Sequence, residues 1–181
     1  MHRRALLQKI TDYNPEFEEE VEFRVSFLDF INTYPDCFER SLEIGHITGS
    51  AWIVNRARSK ALLTHHKKLN RWLQLGGHAD GDPDIINVAT KEAVEESGLK
   101  SLRLLSETIF DIDIHTIPAR KSDPEHLHYD VRFLFEADEK EPFIVSEESN
   151  NLGWVSLEEL ISITDKNDSI LRMAQKAGGR S

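Results

Sequence analysis

The chain predicts an α/β or α+β fold, and three observations carry that reading. A helix with a well-marked start and stop follows a glycine pair between Leu75 and Leu99. Two segments, 110–117 and 126–135, alternate apolar and polar residues with the period of two that marks a strand. Short apolar runs punctuated by glycine and polar clusters flank both, the mixture expected when helices cover a sheet.

The bulk properties frame this. At 181 residues the chain suits one domain with a sizeable core, and 39% hydrophobic with 30% charged residues is the make-up of a soluble globular protein. A net charge of -10 argues against binding a nucleic-acid polymer, which depends on neutralising phosphates. The same charge repels a diphosphate, so a small phosphorylated substrate needs a bridging metal and a local basic patch. Cys37 is the single cysteine, which excludes an intrachain disulfide and suits a reducing compartment. Residues 1–9 are basic, but the apolar run Ala5-Leu6-Leu7 is too short for a signal peptide, and no stretch is long enough to span a membrane. A cytoplasmic location is therefore expected. No internal repeat or low-complexity segment is visible.

Taken in order, residues 1–42 form a helical N-terminal extension and residues 43–181 the main domain. In the extension a helix restarts at Asn14-Pro15-Glu16, with Phe17, Val21, Val25, Leu28 and Ile31 near helical spacing, and Tyr34-Pro35-Asp36 ends it. It reads as a packed extension, with a dimerisation element (hence a candidate homodimer) or a substrate lid as alternatives. Residues 43–55 read as a strand in which Gly45 and Gly49 mark a bulge or a close approach. A second strand covers 61–64, and 72–75 leads into the glycine pair. Between them His65-His66-Lys67-Lys68-Leu69-Asn70-Arg71 is the densest basic run in the chain, either a solvated hairpin loop or a loop that meets substrate phosphates.

The helix after the glycine pair takes Asp82 as its N-cap, Pro83 as its first residue and Gly98 as its C-terminal stop, with Leu99 supplying the apolar contact beyond it. Ile85, Val88, Ala89 and Ala93 make its apolar stripe, while Glu92, Glu95 and Glu96 share an arc of about 100° that overlaps the direction of the stripe. Three carboxylates at i, i+3 and i+4 repel one another, and at the end of a helix the dipole disfavours them too. A hard divalent cation such as Mg²⁺ is the natural compensation, with a solvated acidic face as the alternative reading.

Beyond the helix, 102–105 starts a strand. If the next two strands form a hairpin, symmetric pairing sets His115 by His128, Asp113 by Asp130 and Asp111 by Arg132. The resulting His/Asp face, which includes His126, is an exposed sheet surface, a pocket wall or a second metal site. Glu147 and Glu148 lie in a polar loop before a strand at 152–155; Ser156 and Glu159 form a capping box for a helix over 157–163, and 169–177 is a terminal helix.

The stretch 77–99 resembles the Nudix box, G-x5-E-x7-R-E-U-x-E-E-x-G-U, where U is a bulky apolar residue. With the first glycine on Gly77, the second half falls on Lys91, Glu92, Ala93, Val94, Glu95, Glu96, Ser97, Gly98 and Leu99. Pro83 stands where the first glutamate belongs and Lys91 where the arginine does. In the family those two positions brace the loop and helix, and lysine lacks the bidentate fork of arginine. The resemblance extends from about Ile44 to Ile163 and implies a Nudix-like α/β/α sandwich with a mixed curled sheet.

It also implies a pyrophosphohydrolase cleaving a diphosphate linkage in a nucleoside diphosphate joined to another group, with Mg²⁺ or Mn²⁺ as cofactor. Glu92, Glu95 and Glu96 would hold the metal, with the Gly76 carbonyl as an extra ligand. Glu95, Glu147 or Glu148 would be the base, and Lys91 would orient the cluster. Lys67, Lys68, Arg71, His78, Asp80 and His128 are candidate substrate contacts. The alternatives are a nucleotide-binding or regulatory module of the same fold, permitted by Pro83 and Lys91, and an isoprenoid-diphosphate isomerase using His and Cys. The last ranks low because Cys37 lies outside the expected core.

Overall fold

The computed structural model describes residues 2–67, 70–119, 124–146, 149–164 and 167–178. In chain order these form α1 (Arg4–Asp12), α2 (Glu18–Thr33), β1 (Gly45–Asn55), β2 (Lys60–His66), β3 (Arg71–Leu73), β4 (Leu75–His78), α3 (Ile85–Ser97), β5 (Arg103–Leu104), β6 (Asp111–Ile117), β7 (His126–Ala137), β8 (Ser149–Ser156), α4 (Leu160–Ile163) and α5 (Asp168–Gly178). The class is α+β, a mixed sheet with helices, as the alternation of elements predicts. Its strands pair in the order β3-β2-β1-β7-β5, with β4 joined to β1, β6 to β7 and β8 to β2. The described residues fall into two compact units, one drawn from Met1–Ser50, Gly76–Ala89 and Glu107–Phe133, the other from Ala51–Leu75, Thr90–Ser106 and Leu134–Ser181.

In the first unit the N-terminal helices pack with the strands rather than beside them. Leu6 and Ile10 of α1 and Phe27, Phe30 and Ile31 of α2 are buried. The Phe30 ring stacks on Tyr129 of β7 at 3.9 Å, and Phe27 meets the same ring edge-on at 5.3 Å. Two arginines tie the helices together by donating to carbonyls that helix ends leave unsatisfied: Arg3 to Ile31 (2.5 Å) and Asn32 (3.1 Å), Arg24 to Ile10 (3.1 Å) and Thr11 (2.5 Å).

The buried face of α2 differs from the one the spacing suggests. Val21 and Val25 are 53% and 65% exposed, and the seam runs instead through Glu20, Phe27, Phe30 and Ile31. The fully buried Glu20 accepts hydrogen bonds from the backbone N–H of Glu16 (2.8 Å) and Phe17 (3.0 Å) and from the Tyr13 hydroxyl (2.5 Å). A carboxylate with three donors is a stable core residue that breaks the apolar pattern in sequence. Cys37 is likewise fully buried, its carbonyl accepting from the Ile47 N–H at 2.8 Å, which corrects its expected place outside the core.

Both glycines of β1 mark close approaches. A Cβ on Gly45 would lie 2.6 Å from the Leu127 carbonyl oxygen, and one on Gly49 would lie 2.9 Å from Ile85 and 3.0 Å from Val88, at the start of α3. Gly76 is tighter still: its Cβ would stand 2.7 Å from the Gly49 carbonyl oxygen and 2.7 Å from Ser50 Cα. Helix α3 begins at Ile85, three residues after the expected cap. Asp84 accepts from the Asn87 N–H at 3.2 Å, whereas Asp82 accepts from the Asp84 N–H at 2.9 Å and from the Asn87 side chain at 2.7 Å. Two aspartates compete for the cap, and the one beyond Pro83 takes it.

The second unit is built on β2. It pairs with β8 from Lys60↔Ser156 to His66↔Ser149, with β3 at Thr64↔Leu73 to His66↔Arg71, and with β1 at Ile53↔Leu62. Ile53, Leu62, Leu63, Leu75, Ala93, Leu160, Ile170 and Met173 are fully buried in it. Gly98 takes φ +69°, donates its N–H to Val94 at 2.7 Å and stops α3, with Leu99 buried beyond it as expected. The Ser156/Glu159 capping box forms, the serine hydroxyl donating to the glutamate at 2.8 Å, although the regular helix begins only at Leu160.

Candidate functional site

The acidic end of α3 lies in the second unit. Ala93 beside it is fully buried, Glu92 and Glu96 are half-buried and Glu95 is exposed, so the carboxylates flank the apolar stripe as the spacing requires. Lys91 reaches Glu95 at 3.9 Å, both side chains being largely exposed. A pair of that length and exposure is weak, and lysine has not replaced the firm two-point brace an arginine would give. The donor set, three carboxylates at i, i+3 and i+4 on the last turns of a helix, suits a hard oxygen-seeking cation.

Lys67 and Arg71 are exposed on the β2–β3 hairpin, closed by the Asn70 N–H donating to the His66 carbonyl at 2.8 Å. Lys68, Glu147 and Glu148 lie outside the described residues. Gly76 sits in β4, where the approach of β1 leaves room for no side chain. Asp80, at φ +49°, is engaged by both the Nε and the Nη2 of Arg40 in a two-point ion pair, which occupies the carboxylate expected to meet substrate.

The β6–β7 hairpin forms in the register that symmetry predicts: Asp111↔Arg132, Asp113↔Asp130 and His115↔His128. The face is not an open sheet surface. Asp111, Asp113, Asp130 and Arg132 are all buried, and the Arg132 guanidinium donates to Asp130 at 2.7 Å, Asp111 at 2.9 Å and Asp113 at 3.1 Å. Thr48 and Ser50 of β1 add hydroxyl donors to Asp130 at 2.9 and 2.7 Å. Burial works against the arginine's charge, but the three carboxylates outweigh it and raise its pKa further above the ordinary value. A network this well satisfied is inward-facing structure, and its polar residues need no ligand to explain them.

Toward the other end of the hairpin the same face meets a cluster of imidazoles, all in the first unit. His46 of β1, His78 of β4 and His128 of β7 have ring centroids 4.9 Å (46 to 78), 4.8 Å (46 to 128) and 4.9 Å (78 to 128) apart. His126 lies 5.0 Å from His46, and His115 lies 5.4 Å from His128. His46 is 3% exposed, and neither of its ring nitrogens, nor Nε2 of His128, has a hydrogen-bond partner among the described residues. A buried polar atom left so costs about 1–3 kcal/mol. Burial, then the neighbouring His78 and His126, lowers the His46 pKa to about 4; the Leu42 carbonyl opposes this without completing a hydrogen bond. Burial, then His115 and His78, lowers that of His128 to about 2, so both rings are neutral at pH 7.

The structure thus brings together two of the expected substrate residues, His78 and His128, and adds His46, which sequence reading missed. Its only signal is its position one residue after Gly45, where β1 runs close to Leu127.

The fold agrees with what the chain resembles. The NUDIX domain model matches residues 45–175, and the chain belongs to that family. A solved Ap4A hydrolase from C. elegans in a binary complex is 19% identical over 74% of this chain and 95% of its own, with a TM-score of 0.59. A NUDIX-family hydrolase from Clostridium perfringens is 26% identical over 75% and 98%, at 0.57. The dihydroneopterin triphosphate pyrophosphohydrolase of E. coli is 10% identical over 74% and 95%, also at 0.57. No curated protein matches the sequence significantly. Among the described residues, no helix is long and apolar enough to cross a membrane.

Proposed function

We propose that this Nudix hydrolase cleaves a diphosphate linkage in a nucleoside diphosphate joined to another group, using a hard divalent cation. The observation that carries the reading is the set Glu92, Glu95 and Glu96 on the final turns of α3, kept intact although Pro83 and Lys91 replace the bracing residues. Neighbours named as an Ap4A hydrolase and a dihydroneopterin triphosphate pyrophosphohydrolase support a phosphorylated small molecule as substrate.

The three glutamates are the residues that would hold Mg²⁺ or Mn²⁺. Such an ion, when bound, neutralises phosphate oxygens and lowers the pKa of water. Glu95 or Glu148 accepts the proton of the attacking water, and water displaces the leaving phosphate in line at phosphorus. Lys91 restrains Glu95, and Lys67, Lys68 and Arg71 meet the departing phosphate. His78, His128 and the arginine-bound Asp80 are not needed for this step.

The test is product release from a panel of diphosphate compounds with Mg²⁺ or Mn²⁺, comparing wild type with Glu95→Gln and Glu96→Gln. Turnover of a panel member, lowered about 100-fold or more in the glutamine variants, supports the proposal. Binding of a panel member without turnover in either metal would replace it with a ligand-binding module.

A further inference from the structure

We propose that His46, His78 and His128 form a second metal site, one that takes a borderline transition-metal cation of the zinc type rather than Mg²⁺. One ring nitrogen from each of the three residues can be chosen so that all lie within 4.8 Å of one another. Bonds of about 2.0–2.1 Å to a tetrahedral zinc place such nitrogens roughly 3.3 Å apart. The site thus requires the rings to close in by about 1.5 Å when a metal binds.

Two features separate this triangle from a packed aromatic core. The rings are inclined at 46°, 52° and 88° to one another rather than stacked. His46 is buried with both nitrogens unpartnered among the described residues, and His128 Nε2 is in the same condition. Coordination would satisfy a nitrogen of His46 and Nε2 of His128 at once. Neutral imidazole is a borderline donor that favours Zn²⁺, Ni²⁺ or Cu²⁺ over Mg²⁺, which prefers oxygen. The two ends of the molecule's chemistry are therefore sorted by donor type: nitrogen here, carboxylate oxygen on α3.

The surroundings supply the supporting contacts such sites use. His126 Nδ1 bonds the Pro124 carbonyl at 2.8 Å; a carbonyl only accepts, so that nitrogen is the donor and Nε2 is the atom that can turn to a cation. The His126 ring stands 5.0 Å from His46 and 5.2 Å from His128, placed to complete the coordination. His115, beside His128, is tied through Nδ1 to Asp113 at 3.2 Å and so to the Arg132 network.

The proposal is independent of the hydrolase reading, and the test keeps the two apart. Chelator-stripped full-length protein is titrated with Zn²⁺ against a chromophoric competitor, in wild type, His78→Ala, His126→Ala and the triple variant Glu92→Gln/Glu95→Gln/Glu96→Gln. Wild type is expected to take one equivalent tightly. His78→Ala, at a half-buried position, should weaken binding about 100-fold or more, His126→Ala by about 10-fold, and the triple variant by less than about 3-fold. X-ray absorption of the zinc-loaded wild type, which needs no variant to fold, should count at least three imidazoles at about 2.0 Å. Loss of zinc in the triple variant, an oxygen-only shell, or no binding below about 10 μM would each overturn the site.

Discussion

Among the described residues, three carboxylates gather both on the β6–β7 hairpin and at the end of α3, and the contrast between them is one of burial. Asp111, Asp113 and Asp130 are buried and share one cation, Arg132, at 2.7 to 3.1 Å. Glu92, Glu95 and Glu96 border solvent, and the lysine nearest Glu95 stands 3.9 Å away with both partners exposed. In the first set the chain supplies the counter-charge, because a buried carboxylate cannot wait for one from solvent. In the second the carboxylates stand at the surface, where a solvent cation can reach them, at a modest cost in repulsion. The same residue type is thus structural where it is buried around an arginine of the chain and open to a solvent cation where it borders water.

The comparison fails first if Arg132 proves dispensable. Arg132→Met should cost about 3–5 kcal/mol in urea unfolding, since it strands three buried acids, and adding Asp113→Asn should return part of the loss. A cost below about 1 kcal/mol would mean that the acids are already protonated or hydrated. Glu95→Gln should do the reverse: activity falls about 100-fold or more, while stability stays within about 0.5 kcal/mol of wild type or rises slightly, because a negative charge leaves a helix C-terminus.

The pH dependence sharpens the role of burial. Burial pushes the Cys37 thiol up from 9.0 to about 11, partly countered by Arg3. The unfolded thiol therefore ionises first. Stability is full below about pH 9 and falls as pH rises toward 11, by up to about 1.4 kcal/mol per unit from this group, a slope that Cys37→Ala should remove. The smallest effect belongs to Lys91. Lys91→Ala should change the unfolding free energy by less than about 0.5 kcal/mol, and any larger loss would show that the exposed pair braces the helix after all.

What could be read in advance follows from the range of the interactions. The α3 stripe and its glycine stop are set within one helix, and the β6–β7 register follows from alternation on either side of a single turn, so both are visible in a local stretch. His46 is not, because its neighbours come from β4 and β7, and only the folded strand order brings β1 beside them. Glu20 and Cys37 escaped for a related reason. A carboxylate satisfied by three donors, and a thiol whose carbonyl is held by Ile47, owe their burial to partners that no periodicity announces. The cap went to Asp84 because local side-chain geometry chose between two aspartates that look equivalent in a string.

The register of the β6–β7 hairpin also bears on the order of assembly. Opposing Asp113 to Asp130 would ordinarily discourage two strands from meeting, yet the hairpin carries its own neutralising group in Arg132, two residues along β7. Only one turn must close before the arginine reaches all three acids, a small loss of chain entropy. Thr48 and Ser50, 82 and 80 residues from Asp130, can add their hydroxyls later, when the distant β1 arrives. The least apolar part of the core is in this sense suited to form early, by a local route that does not wait for collapse.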